Sequence, residues 1–200
     1  MFASGNGTNF QAIADAVMEG RLDCRISAVI CDRKNAGVLE RSRSLGIDSL
    51  YIPYSKAEPD RFHDSVMDRL MQYKPDLIVL AGFLKILHSS LIREFPSRII
   101  NLHPSLLPCF GGPSFYGAKV HEAVILSGAK YSGATVHFVT ENIDGGPIIM
   151  QDICTVEDND TPETLAEKVH GLEHKIIVDS IRIIIQDKIE IDGNRVKLKK

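Results

Sequence analysis

Apolar residues along this chain gather into short β-branched runs, separated by stretches where they recur every third or fourth position. Residues 26–31, 77–81 and 99–102 are nearly continuous apolar runs, as expected of strands buried on both faces. Between them, Phe10, Ile13, Ala14 and Val17 fall at helical spacing, and so do Phe62, Val66, Leu70 and Tyr73. Strands that alternate with amphipathic helices predict an α/β fold, a mainly parallel sheet flanked by helices.

The texture changes after about residue 134. Residues 134–139 and 147–151 read as two strands joined by 140–146, an antiparallel pair rather than another crossover. A long helix is expected from an N-cap at Thr161, with Pro162 in its first turn and Glu163 near its positive end. It should run to about Asp187, with Gly171 as its weak spot. Residues 189–198 carry an Asp192-Gly193-Asn194 turn and predict a small hairpin. With no repeat, linker or low-complexity segment, residues 1–200 read as one domain.

Composition narrows the partners. Two hundred residues with 44% hydrophobic and 24% charged side chains suit one medium domain, and exclude a disordered or fibrous chain. The 23 basic and 26 acidic residues are interspersed and leave a net charge of −3, which argues against nucleic acid as a partner. Cys24, Cys31, Cys109 and Cys154 are too scattered for a disulfide framework or a zinc site, and read as reduced, mostly buried thiols. The apolar stretch 176–185 is interrupted by Asp179 and Arg182, so no membrane crossing is expected. Met1-Phe2-Ala3 leads straight into Ser4-Gly5 without the length of a signal peptide, and the expectation is a cytoplasmic monomer or homodimer.

Two local patterns carry candidate chemistry. Ser4-Gly5-Asn6-Gly7-Thr8-Asn9 opens the first helix, where glycines admit close approach and unpaired N–H groups favour an anion such as phosphate. It is not a Walker A loop, and Phe10 occupies the third glycine position of Gly-x-Gly-x-x-Gly. A tight turn with Asn and Thr as caps accounts for the same residues. Asn101 and His103 point to one face where a buried strand runs out, and Pro104 keeps His103 extended. Strand ends of this kind hold ligands in open α/β sheets, and an amide beside an imidazole suits a carbonyl gaining negative charge. A core pair tied to backbone is the plainer alternative. Ile143-Asp144-Gly145-Gly146-Pro147 adds a carboxylate able to orient a histidine or take a proton through water, although an Asp-Gly turn is common.

The remaining histidines read more simply. His121 looks like a capping or surface residue of an amphipathic helix, and His137 either joins the active-site water network or is a satisfied core histidine. His170 and His174 lie one turn apart but lack a third ligand, so no metal is expected, and His174 is read as accompanying Glu173. His63 and His88 read as surface or helix-start residues. Lys197-Leu198-Lys199-Lys200 reads as a solvated tail.

Together these segments resemble the folate-dependent formyltransferases, in particular the phosphoribosylglycinamide formyltransferase (GAR transformylase) family. The match lies in Ser4-Gly5-Asn6-Gly7-Thr8-Asn9, Leu80-Ala81-Gly82-Phe83, Asn101-Leu102-His103-Pro104-Ser105-Leu106-Leu107-Pro108, Val136-His137-Phe138-Val139 and Asp144-Gly145-Gly146-Pro147. The resemblance implies a Rossmann-like fold, 10-formyltetrahydrofolate as co-substrate and glycinamide ribonucleotide as the formyl acceptor. It implies Asn101, His103 and Asp144 as catalytic residues. Gly7, Thr8 and Asn9 would hold the phosphate, with Gly82 and Glu173 also on the ribonucleotide. The folate would lie against Phe83, Leu84, Lys85, Ile86 and Leu87, its pterin head near Asn142 and Ile143.

Three features depart from the family pattern: the apolar run before the glycine loop is short, Lys85 stands where some relatives have arginine, and residues 109–117 form a longer segment expected to wall or cover the cleft. Hydrolysis of 10-formyltetrahydrofolate is one alternative, although related hydrolases carry an extra amino-terminal domain and need no acceptor-phosphate loop. Transfer to methionyl-tRNA is disfavoured by the mild acidity and the lack of a carboxyl-terminal RNA-binding domain. A non-catalytic phosphosugar- or folate-binding module is the remaining alternative, and Asn101, His103 and Asp144 count against it.

Overall fold

The computed structural model describes residues 1–199; Lys200, and with it the last residue of the expected tail, lies outside them. Strands β1 (Phe2–Ala3), β2 (Ala28–Cys31), β3 (Asp48–Tyr51), β4 (Ile78–Ala81) and β5 (Ile99–His103) pair in parallel in the order β3-β2-β1-β4-β5. Beyond β5 the sheet continues with β6 (Tyr131–Phe138), antiparallel to β5, and β7 (Ile148–Thr155), antiparallel to β6. A terminal hairpin of β8 (Ile189–Asp192) and β9 (Arg195–Leu198) completes nine strands, joined to β7 through Ile148 opposite Arg195. The mainly parallel α/β sheet, its antiparallel pair and the final hairpin all follow the pattern read from the sequence.

Helices cover both faces because the central strands are apolar on both. Val79, Ala81, Ile100 and Leu102 bury toward α1 (Thr8–Met18), α5 (Ala118–Ser127) and α6 (Pro162–Ile185). Their alternates Ile78, Leu80 and Ile99 bury toward α3 (Pro59–Tyr73) and α4 (Ser89–Glu94), against Phe62, Val66, Leu70 and Leu91. Helix α2 (Gly37–Ser44) packs Val38 and Leu39 against Ala3, Val29 and Cys31. The expected N-cap of α6 is present as a capping box. Thr161 Oγ1 accepts from the Thr164 N–H at 3.3 Å, and Thr164 Oγ1 accepts from the Thr161 N–H at 2.9 Å. The helix passes through Gly171 unbroken because Leu165, Val169, Ile176, Ile177 and Ile181 anchor it to the core on both sides.

Three points differ from the sequence reading. Strand β3 escaped the hydrophobic pattern because it is an edge strand of mixed polarity, with Asp48 and Tyr51 exposed. Residues 197–198 belong to β9 instead of a solvated tail. Of the cysteines only Cys31 is buried; Cys24 and Cys154 are half-buried and Cys109 is exposed, all as free thiols. No helix among the described residues is long and apolar enough to cross a membrane.

The loops that matter meet at the carboxyl ends of β1, β4 and β5. The Ser4 N–H donates to the Gly82 carbonyl at 3.0 Å, and the Leu84 N–H donates to Ser4 Oγ at 3.0 Å. These bonds tie the loop after β1 to the segment after β4.

Candidate active site

One end of the site is made of backbone. Gly7 turns the chain into α1 at φ 78°, and no side chain caps the helix, so the amides of its first turn stay open. A Cβ at Gly7 would stand 2.7 Å from the Val38 side chain. Arg41 Nε steadies the loop from α2 by donating to the Asn6 carbonyl at 2.9 Å. Asn9 Nδ2 donates to Glu173 Oε2 at 3.1 Å, joining α1 to α6. Burial pushes the Glu173 carboxyl above its ordinary range, while the Asn9 bond and the nearby His170 pull it down. His170 Nε2 lies 3.9 Å from that carboxylate. His170, not His174, thus accompanies Glu173 on the cleft wall.

The other end is made of side chains. Asn101 and His103 stand at the end of β5, opposite His137 and Thr135 of β6. His137 Nδ1 donates to the Phe138 carbonyl at 3.0 Å, which leaves Nε2 to accept from Asn101 Nδ2 at 3.1 Å. Burial lowers the His137 pKa, in keeping with a neutral ring. One N–H of the Asn101 amide is therefore held by His137, and the second is left for a ligand. His103 Nε2 donates to the Phe110 carbonyl at 2.8 Å, and Nδ1 lies 3.6 Å from Asp144 Oδ2. Both nitrogens of His103 thus face an oxygen, one in a hydrogen bond and the other across a short gap.

Asp144 is held where it can reach both rings. Its Oδ1 is 3.7 Å from His137 Nε2, and its Oδ2 accepts from the Gly112 N–H at 2.9 Å. The gaps to the imidazoles are just beyond hydrogen-bond length, a span that a water or a ligand N–H bridges. The residue adopts φ 53°, a left-handed conformation that Asp tolerates better than most side chains. The glycines that follow it are dictated by crowding: a Cβ at Gly146 would strike the Phe138 carbonyl, and one at Gly145 the Asn142 side chain.

Both ends open into one cleft of about 680 Å³. Asn101, His103 and Asp144 line it, as do Gly7, Thr8, Asn9, Gly82 and Glu173. The stretch Phe83, Leu84, Lys85, Ile86 and Leu87 forms one wall, and Asn142 and Ile143, the two residues before Asp144, line the cleft as well. Within that wall the side chains diverge. The Phe83 ring turns into the core, edge-on to Phe2 at 5.2 Å and stacked on Phe62 at 6.2 Å, and Leu87 is buried beside it. Lys85 Nζ sits 4.7 Å from the Tyr54 ring centre and 3.6 Å from the buried Asp32 carboxylate, while Ile86 is exposed.

The other histidines sort differently from their sequence readings. His121 is only 3% exposed and lines the cleft, so it is neither a cap nor a surface residue. Val120, His121 and Val124 share the buried face of α5, a spacing that would have identified it. Residues 112, 113 and 115–118 also line the cleft, giving the expected wall. His88 caps α4 by accepting from the Ser90 N–H at 3.3 Å, whereas His63 lies within α3, half-buried, its ring 5.4 Å from that of His88. Among the described residues no group of three or more His, Cys, Asp and Glu is placed to hold a metal ion.

The family model described as formyl transferase matches residues 1–181. The chain belongs to the formyl transferase family. Within that family it is 43% identical over 192 residues to phosphoribosylglycinamide formyltransferase, chloroplastic, of Arabidopsis thaliana, covering 95% of this chain and 66% of the relative. This formyl transferase thus spans just under two thirds of that relative's length. Among solved structures it is similar to glycinamide ribonucleotide transformylase 1 from Symbiobacterium toebii, with a TM-score of 0.92, 38% identity, and coverage of 100% of this chain and 92% of that one. It is also similar to a formyltetrahydrofolate deformylase from Pseudomonas syringae pv. tomato, with a TM-score of 0.91, 28% identity, and coverage of 100% and 64%.

Proposed function

We propose that this formyl transferase moves the formyl group of 10-formyltetrahydrofolate to the primary amine of glycinamide ribonucleotide, giving formyl-glycinamide ribonucleotide for purine biosynthesis. The observation that carries the reading is the shared cleft: the uncapped start of α1 and the Asn101, His103 and Asp144 group open into the same space. The amides at Gly7, Thr8 and Asn9 suit the acceptor's phosphate, and the Glu173 carboxylate suits a ribose hydroxyl. The folate lies along residues 83–87, with its pterin at Asn142 and Ile143. Similarity to transformylases named for this acceptor supports the same assignment.

The chemistry then follows from the side-chain end. The acceptor nitrogen attacks the formyl carbon, a C–N bond forms, and the carbonyl electron pair moves onto oxygen. Asn101 and a protonated His103 donate to that oxyanion as it develops. Asp144 charges the His103 ring and takes the amine proton through water. The carbonyl re-forms as the bond to N10 of the folate breaks, and N10 receives a proton in place of the one the amine lost. Both substrates are water-soluble, which suits the cytoplasm.

Hydrolysis is the second reading, favoured by the close fold of the deformylase, with water in place of the amine. Folate absorbance separates the readings. Release of tetrahydrofolate only when glycinamide ribonucleotide is present is the expected result. Release without it assigns a hydrolase, and silence in both assays assigns a binding module.

A further inference from the structure

We infer that His121 fixes the acceptor itself, donating a hydrogen bond from Nε2 to the carbonyl oxygen of the glycinamide group; this rests on the reading of the cleft given above. His121 is unlike the other rings of the site. His103 and His137 each bond to protein through their nitrogens, and His170 faces Glu173. His121 is almost wholly buried on the cleft wall, yet its Nδ1 is shielded from solvent with no partner. A buried polar group without a partner is uncommon and calls for an explanation.

The protonation state follows from the surroundings. Burial first, then His170 and His103, lower the His121 pKa to about 4, so the ring is neutral at ordinary pH. A proton on Nδ1 would strand a donor where nothing can accept it, and a stranded N–H is rarer in folded proteins than an underused acceptor. The proton therefore sits on Nε2, the nitrogen left to meet the cleft. The ring offers a neutral donor, which matches a carbonyl oxygen.

Position selects which carbonyl. His121 lines the same cleft as Glu173 and His170 of α6 and as His103 of β5, and its helix α5 packs on α6, so it lies along the interval from the Glu173 end to the reacting end. An acceptor with its phosphate on α1 and its amine beside His103 spans the same interval, with its amide carbonyl in the middle. A donor there orients the amine without titrating during the reaction. The segment that delivers it, with Gly112 at φ 101° and Gly117 at φ 56°, is the longer stretch noted in the sequence.

Steady-state kinetics on the whole chain test the inference, with His121→Phe, His121→Gln and the wild type. Loss of one such bond should lower kcat/KM for glycinamide ribonucleotide about ten- to a hundredfold in His121→Phe. The KM for 10-formyltetrahydrofolate should stay at its wild-type value, as should inhibition by ribose 5-phosphate, which probes the anion end alone. His121→Gln keeps an N–H donor and should recover most of the loss. If the Phe variant fails to fold, His121→Asn, too short to reach, takes its place. Wild-type-like use of the acceptor by the Phe or Asn variant overturns the inference, as does a matching loss of folate or ribose 5-phosphate binding, or failure of Gln to rescue. A wild type inert toward the acceptor sinks the transferase reading first, and the role of His121 with it.

Discussion

The two ends of the cleft are built from different materials. At the start of α1 the groups offered to a ligand are main-chain amides, held in place by Gly7 and by a bond from Arg41 to the Asn6 carbonyl. At the end of β5 they are side chains locked to one another: Asn101 to His137, His103 to the Phe110 carbonyl, and Asp144 to the Gly112 amide. A site made of side chains can lose one function while keeping its shape. A site made of backbone cannot, because a substitution that reaches the amides must move the chain. Removing groups at one end should therefore cost rate, and crowding the other should cost binding and stability together.

The sharpest test of that contrast lies at the side-chain end. His103→Ala and Asp144→Ala should each lower turnover about a hundred- to a thousandfold, the usual effect of losing a group that meets developing charge. Binding of glycinamide ribonucleotide, measured by calorimetry, should remain nearly intact in both. Wild-type rates from either variant would remove those residues from the mechanism.

A smaller loss of a different kind is expected from Gly7→Ala. Its φ of 78° is left-handed, and the new Cβ would press within 2.7 Å of Val38. Strain of this sort costs about 1–3 kcal/mol, so the urea midpoint should drop while acceptor KM rises, with kcat changed less than either. Unaltered binding alongside lowered stability would show that the loop amides are not the anion site.

Asn9→Ala acts more gently on the same end. The Asn9 bond restrains the upward push that burial gives the Glu173 carboxyl. Without it the carboxyl should protonate at higher pH, so acceptor affinity should begin to fall earlier on acidification. Identical pH profiles for variant and wild type would separate Glu173 from the acceptor.

The backbone end was legible in the sequence because local rules govern it: glycines before an apolar helix mark an uncapped helix start. The side-chain end was legible only in part. Asn101 and His103 share a strand face by simple alternation, but their partners come from β6, from the Phe110 carbonyl and from Asp144, contacts that no local pattern reports. His121 was misread because a polar residue in an amphipathic helix is assigned to the wet face by default, and only its neighbours Val120 and Val124 place it inside. Strand β3 was missed for the opposite reason, since an edge position asks for little apolar character. The parallel character of the sheet followed from alternation but the strand order β3-β2-β1-β4-β5 did not, and the divergent directions of Phe83, Lys85 and Ile86 within one wall depend on the aromatic core beneath them.

The least effect, and the most discriminating in sign, concerns acid stability. Burial lowers the pKa of His121 to about 4, and lowers those of His137, His63 and His174 below 6.5 as well. Between pH 6.5 and about 4 the unfolded chain therefore binds more protons at His121 than the folded one, and stability falls as the solution is acidified. Glu173 has the opposite sign. Its folded pKa is raised above 4.5, so in the window just above that value the folded chain binds the extra proton and acidification is stabilising. His121 on α5 and Glu173 at the α1 end of the cleft thus oppose each other over overlapping ranges. Urea denaturation at stepped pH should show a shallower acid loss in His121→Phe than in the wild type, and a steeper one in Glu173→Gln, which removes the offsetting carboxyl. Glu173→Gln should also gain stability at neutral pH, where the wild type must bury a charge. Parallel stability curves for all three proteins would mean that neither group changes its protonation on folding, and that the contrast between the two ends ends at binding.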